Sequence, residues 1–92
     1  MNVRQLKEKY KESPPDSILE RGVEVVVRVK APFIENDIIL EDESGSIEAL
    51  GKSEVRKVLK IKAESSEKVK LKGLLVKSPF EDICLEIDEI LE

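Results

Sequence analysis

Hydrophobic and polar positions along this chain switch between two periods. Val3, Leu6 and Tyr10 recur at helical spacing behind Asn2, a favoured N-cap residue. A short helix is expected there, ending at Glu12-Ser13-Pro14-Pro15-Asp16, because proline cannot continue it. Its apolar stripe is narrow, so it needs the rest of the fold or a partner to pack on. Ile18 and Leu19 lead into Gly22, which reads as a turn. From Val23 to Val29 the period becomes two. Val23, Val25, Val27 and Val29 share one face; Glu24, Arg28 and Lys30 share the other, interrupted by Val26. Ala31–Asn36 is a loop, and Asp37 to Glu41 a second strand. Asp42-Glu43-Ser44-Gly45 is a tight turn, since Asp accepts backbone hydrogen bonds and Gly tolerates positive φ. Ser46 to Leu50 is a third strand with Ile47 and Ala49 on one face.

The helical period then returns. Ser53 reads as the cap of a helix running to about Lys62, with an apolar stripe of Val55, Val58 and Leu59 and with Arg56, Lys57 and Lys60 mostly off it. A fourth strand, Lys68 to Val76, turns Val69, Leu71 and Leu75 inward and Lys68, Lys70 and Lys72 outward, with Gly73 marking a bend or bulge. Ser78–Asp82 is a loop. Ile83 to Leu91 is a fifth strand with Ile83, Leu85 and Ile87 on one face. The expected organisation is an N-terminal helix and Pro-Pro connector over residues 1–17 and a mainly β, five-stranded barrel over 18–92. A ferredoxin-like fold needs a helix between the first two strands, and Ala31–Asn36 has no room for one. An SH3-like barrel would not use the Ser53–Lys62 helix.

Composition adds bounds. Ninety-two residues make one domain. Cys84 is the only cysteine, so no disulfide staples it. Charged residues make up 39% of the chain, and it contains no His, Thr or Trp. Lys/Glu enrichment with few thermolabile side chains is the hyperthermophile pattern, which points to a thermophilic archaeal source, the alternative being a highly charged mesophilic domain. Met1–Tyr10 is polar and no apolar run approaches the ~20 residues of a membrane span. The expected location is therefore cytoplasmic, with no membrane partner. The net charge of −4 hides a segregation. Residues 52–77 are rich in Lys and Arg, whereas residues 78–92 carry acids and no base. Such a split suggests a directed electrostatic contact.

Five strands with a helix between the third and fourth is the order of the Greek-key OB-fold barrel. The residues Ile18-Leu19-Glu20-Arg21-Gly22-Val23-Glu24-Val25, followed by Ile39 to Ala49, resemble the nucleic-acid-binding OB-fold family. That family includes replication protein A, single-strand binding proteins, telomere-capping subunits and the anticodon-binding domains of some tRNA synthetases. The recurring piece is a Leu-x-Asp-x-Ser/Thr-Gly-x-Ile hairpin, here Leu40 to Ile47. The resemblance covers about residues 18–91 and implies a binding module in nucleic-acid processing. Binders of the family carry aromatic and basic residues on the second and third strands. Here the corresponding outward positions are Ile39, Glu41, Ser46 and Glu48, and carboxylates there repel phosphate.

Two loops echo each other. Val29-Lys30-Ala31-Pro32-Phe33 matches Val76-Lys77-Ser78-Pro79-Phe80, and each segment is followed by an Asp-led strand. Phe33 and Phe80 are the only phenylalanines. Three roles fit such rings: stacking on bases, anchoring a protein partner, or capping an open barrel end. Lys68, Lys70 and Lys72, with Arg56, Lys57 and Lys60, form either a phosphate-binding patch or a solvated strand face that discourages edge pairing.

Catalytic chemistry finds no constellation. Without His, imidazole acid–base chemistry and His metal ligation are excluded. Cys84 lacks a second Cys or a His for a zinc site or a thiolate nucleophile. The four glycines are scattered and form no phosphate loop. Neither enzyme activity, cofactor nor metal is expected. The expected function is a non-catalytic accessory subunit of a DNA replication or repair complex that contacts single-stranded DNA or RNA through Arg28, Lys30, Arg56, Lys68, Lys70, Lys72 and Lys77, with Phe33 and Phe80 at the cleft ends. The alternative is a protein-interaction module docking a larger enzyme such as an archaeal DNA polymerase.

Overall fold

The computed structural model describes residues 1–91. The chain runs α1 (Val3–Lys9), β1 (Ser17–Val29), β2 (Ile38–Asp42), β3 (Gly45–Leu50), α2 (Ser53–Ser65), β4 (Lys68–Lys77) and β5 (Ile83–Ile90). The strands close into a barrel in the order β1-β2-β3-β5-β4. β3 and β5 are parallel; the other neighbours are antiparallel. This is a mainly β architecture with two helices, consistent with an OB-like barrel.

The period-two pattern places one face of each strand in the lumen. Val23, Val25, Val27 and Val29 meet Ile38, Leu40, Ile47, Ala49, Val69, Leu71, Leu75, Leu85 and Ile87 in a single core. The helices extend that core. Val3 and Leu6 of α1 are buried in it, and so are Leu59 and Ala63 of α2. Strand directions separate the helices. α1 sits by the β2–β3 turn and the start of β1, while α2 follows the end of β3 and contacts β1 and β5. Among the described residues no helix is long and apolar enough to cross a membrane. Glu92, the last residue of the expected acidic tail, lies outside the described residues.

The elements depart from expectation where local geometry intervenes. β1 begins at Ser17 and not at Val23. Gly22 does not turn the chain. It sits inside β1 at φ +66, within a register shift against β4 between Glu20 and Val23. Such a bulge bends a strand and raises its twist, which lets one long strand serve a closed barrel. Positive φ therefore falls at Gly22, while Gly45 stays outside the left-handed region. Gly73 marks a register shift between β4 and β5, as its place in the strand suggested. A Cβ there would stand 2.3 Å from the Glu86 carbonyl oxygen, so the strands close only on glycine.

α2 also differs. Its N-cap is Lys52, Ser53 is its first helical residue, and no side chain caps it. It runs past Lys62 to Ser65 and stops at Ser66, which is left-handed at φ 56. The buried stripe is Val55, Leu59 and Ala63, at i, i+4 and i+8. Val58, expected in that stripe, is 38% exposed.

Candidate functional site

The lysine strand is the first candidate. Lys68, Lys70 and Lys72 point outward beside β1, where Lys68 pairs in register with Arg28, Lys70 with Val26 and Lys72 with Glu24. Two carboxylates form ion pairs along it, one of them shared by two bases. Lys68 Nζ and Arg28 Nη1 both lie 3.8 Å from Glu43 Oε1, and Lys70 Nζ is 3.5 Å from Glu24 Oε1. Lys72 stands across from Glu24 on one side and Glu89 on the other. β4 itself has only β1 and β5 as neighbours, but the strip continues through Arg28, which stands opposite Glu41 on β2, and meets the β2–β3 turn at Glu43. The outer face of β2 and β3 presents Glu48, exposed, opposite Ile39 on β2 and Cys84 on β5. Lys30 is exposed at the end of β1, and its backbone N–H donates to Ile39 O at 2.9 Å.

Lys77 leaves the set of surface bases. It is 6% exposed, and its ammonium donates to Lys11 O at 2.8 Å and Ser13 O at 2.7 Å. It stitches the segment after α1 to the end of β4. The side chain follows the inward phase of Val69, Leu71 and Leu75, and it is tolerated there because two carbonyls replace water.

The two Pro-Phe loops have different fates. They also lie at opposite barrel ends, since β1 ends where β4 begins and β4 ends where β1 begins. Phe33 is half-buried and packs against the core. It shares a pocket of about 370 Å³ with Glu35, Ser53, Arg56, Lys57 and Lys60. Arg56 Nη1 donates to Gly51 O at 3.0 Å, and its buried Nε stands 3.1 Å from Glu35 Oε1 without hydrogen-bond alignment. Phe33 and Arg56 are thus joined, although β2 and β3 separate them in the chain. Phe80 is 86% exposed. Its loop is braced from within: Ser78 Oγ accepts the N–H of Phe80 at 3.2 Å and of Asp82 at 3.1 Å, and Ser78 N–H donates to Asp82 O at 2.8 Å. A large apolar ring is held in water on an ordered turn.

A groove that sequence reasoning missed lies beside this loop. It crosses the outer faces of β1, β4, β5 and β3, and its volume is about 410 Å³. Cross-strand pairing builds it. Ile18 opposes Val76, which opposes Cys84; Leu74 opposes Glu86, which opposes Leu50. Ile18 is 55% exposed and Leu50 54%, while Cys84 lies beneath at 8%. Pro79 lines the groove as well. The available signal was broken alternation: Leu74 and Val76 put apolar side chains on the outward phase of β4, as Cys84 does on β5.

Acids surround the groove. Asp16 and Glu86 line it. Burial, followed by the charges of Glu48, Glu86 and Asp82, pushes the Cys84 thiol up to about 11. The thiol is therefore protonated and inert at neutral pH. The one base along the groove, Lys77, is held by backbone carbonyls. The arrangement offers an apolar floor with an acidic rim. No protein-family model matches the chain, and no curated protein does.

Proposed function

We propose that this chain is a non-catalytic OB-fold accessory subunit of a nucleic-acid-processing complex in DNA replication or repair, and that it acts by docking a larger protein subunit. In this reading the barrel has the Greek-key OB topology, α2 is the helix between the third and fourth strands, and α1 is an added N-terminal plug. The link to nucleic-acid processing rests on the Leu40–Ile47 hairpin. The observation that carries docking is the exposed apolar surface of Ile18, Leu50 and Phe80, set against a lysine strand in which Lys68 and Lys70 are already ion-paired. Exposed aromatic and aliphatic anchors serve protein interfaces, whereas phosphate binding needs uncompensated positive charge.

A second reading, direct contact with single-stranded DNA or RNA, is favoured by the pocket in which Phe33 adjoins Arg56, Lys57 and Lys60. A ring beside cations suits one stacked base and its phosphates. Affinity capture from the native source with mass spectrometry tests the first reading, which requires a stoichiometric protein partner. Titration of labelled single strands at low and moderate salt tests the second. Saturable, salt-dependent binding at micromolar protein, lost in Arg56→Gln with Lys57→Gln, would favour it over docking alone.

A further inference from the structure

We propose that the groove across β1, β4, β5 and β3 seats an apolar segment of a partner protein that is flanked by Lys or Arg. This rests on the docking reading above and names the surface and the chemistry of its occupant. The floor is apolar: Ile18, Leu50, Leu74, Val76 and Pro79 over the Cys84 side chain. Its volume of about 410 Å³ falls within the roughly 300–1,000 Å³ of ordinary ligand pockets. Burial of the exposed parts of Ile18 and Leu50 drives association, and Phe80, next to Pro79 on its braced turn, is available to close over an occupant.

Charge selects among occupants. Asp16 and Glu86 line the groove, and Glu48 and Asp82 act on the same buried thiol. Lys77 sets one positive charge against these four carboxylates and leaves the groove net negative, and its ammonium, bonded to two backbone carbonyls, does not meet an incoming ligand. A phosphate chain or an anionic lipid surface meets repulsion. A self-complementary contact between two copies sets this acidic rim against its own image. A segment with apolar anchors and cationic flanks satisfies both the floor and the rim. Electrostatic complementarity of this kind sets specificity and on-rate.

The test uses the full chain and two fluorescein-labelled decapeptides with the same Leu-Phe-Leu centre, one flanked by lysines and one by glutamates. Anisotropy at low salt should show saturable binding of the lysine peptide and at least tenfold weaker binding of the glutamate peptide. Leu50→Ser and Phe80→Ala should each weaken the lysine peptide at least fivefold. Glu86→Gln should weaken it, while Glu64→Gln, an equal charge change on α2, should not. Circular dichroism and melting establish that each variant is folded. Three results would overturn the proposal: equal binding of the two peptides, undiminished binding by both Leu50→Ser and Phe80→Ala, or a wild-type dimer in sedimentation that Leu50→Ser dissolves. Failure of the groove is separable from failure of the docking reading. A stoichiometric native partner that Leu50→Ser and Phe80→Ala still capture removes the groove and leaves docking standing; absence of any stoichiometric partner removes the docking reading itself.

Discussion

The Asp42 carboxylate accepts the backbone N–H of Val3 at 3.0 Å, so the turn that joins β2 to β3 also starts α1. Ser44 Oγ accepts the N–H of Arg4 at 3.0 Å. Asn2 Oδ1 accepts the N–H of Gln5 at 2.8 Å, and Gln5 Oε1 accepts that of Asn2 at 2.9 Å. Every N–H that a helix start leaves unpaired is thereby satisfied, half of them by a distant hairpin. Asp42 also accepts the N–H of Ser44 at 2.8 Å and of Gly45 at 3.2 Å. One carboxylate shapes the turn and anchors the helix. Asp42→Ala should lower stability by about 2 kcal/mol, the scale of hydrogen bonds to a charged acceptor. Urea unfolding measures it, and hydrogen exchange of Val3 and Leu6 should show α1 released first.

The same carboxylate carries a pH dependence. Burial pushes the Asp42 carboxyl up, but hydrogen bonds from Ser44 Oγ and from the N–H groups of Val3, Ser44 and Gly45 outweigh it and hold the group below its ordinary value. A depressed folded value means that the contribution is complete above the unfolded carboxylate value and vanishes as pH falls through the folded one. The stability difference between wild type and Asp42→Ala should be flat from neutral pH to about pH 5 and shrink below about pH 4. A difference that grows on acidification would contradict the hydrogen-bonded carboxylate.

Gly73→Ala tests barrel closure. The added Cβ meets backbone, the Glu86 carbonyl oxygen at 2.3 Å, and not the tip of a side chain that can rotate away. Overpacking of this kind costs about 3 kcal/mol, the upper end for an inserted methyl. Reduced yield and an earlier urea midpoint should appear together. Gly45→Ala, where the nearest atom is Val3 Cγ1 at 3.9 Å, should be nearly neutral and serves as the control.

The barrel was legible because each strand shows one face to the lumen, so Val23, Val25, Val27 and Val29 declare their phase in the sequence. Ser17–Arg21 escaped notice because the bulge at Gly22 resets that phase, and residues on its two sides no longer share one alternation. Lys77 was readable in principle: it continues the inward phase of Leu75, yet lysine implies surface until two carbonyls are seen to receive it. Phe33 and Arg56 come together only through packing of α2 under the β1–β2 loop, which no local pattern encodes. The groove depends on pairs such as Val76 with Cys84 and Leu50 with Glu86, and these follow from register across the closed barrel.

Lys77→Met separates packing from polar anchoring. Methionine keeps most of the aliphatic stem but leaves the carbonyls of Lys11 and Ser13 without their donor. Unsatisfied part-buried carbonyls should cost about 2 kcal/mol in all. The loss should appear in thermal unfolding, with faster exchange over residues 10–16. Binding of the lysine-flanked peptide in the groove should not weaken, since the variant removes the one positive charge beside it.

Replacing Lys68, Lys70 and Lys72 together by Gln distinguishes a neutralised strip from a phosphate site. The pairs to Glu43 and Glu24 span 3.5–3.8 Å between side chains that remain 43–77% exposed. Exposed pairs contribute about 0–1 kcal/mol each, so the melting temperature should move only slightly. If these lysines held phosphates, the dependence of single-strand affinity on salt would flatten by about 0.7 in log–log slope for each phosphate that the variant no longer neutralises. The expected outcome is an unchanged slope for whatever single-strand binding the wild type shows, because Lys68 and Lys70 are already ion-paired and Lys72 stands between Glu24 and Glu89. A flattened slope would return the lysine strand to the nucleic-acid interface and place the partner's role second.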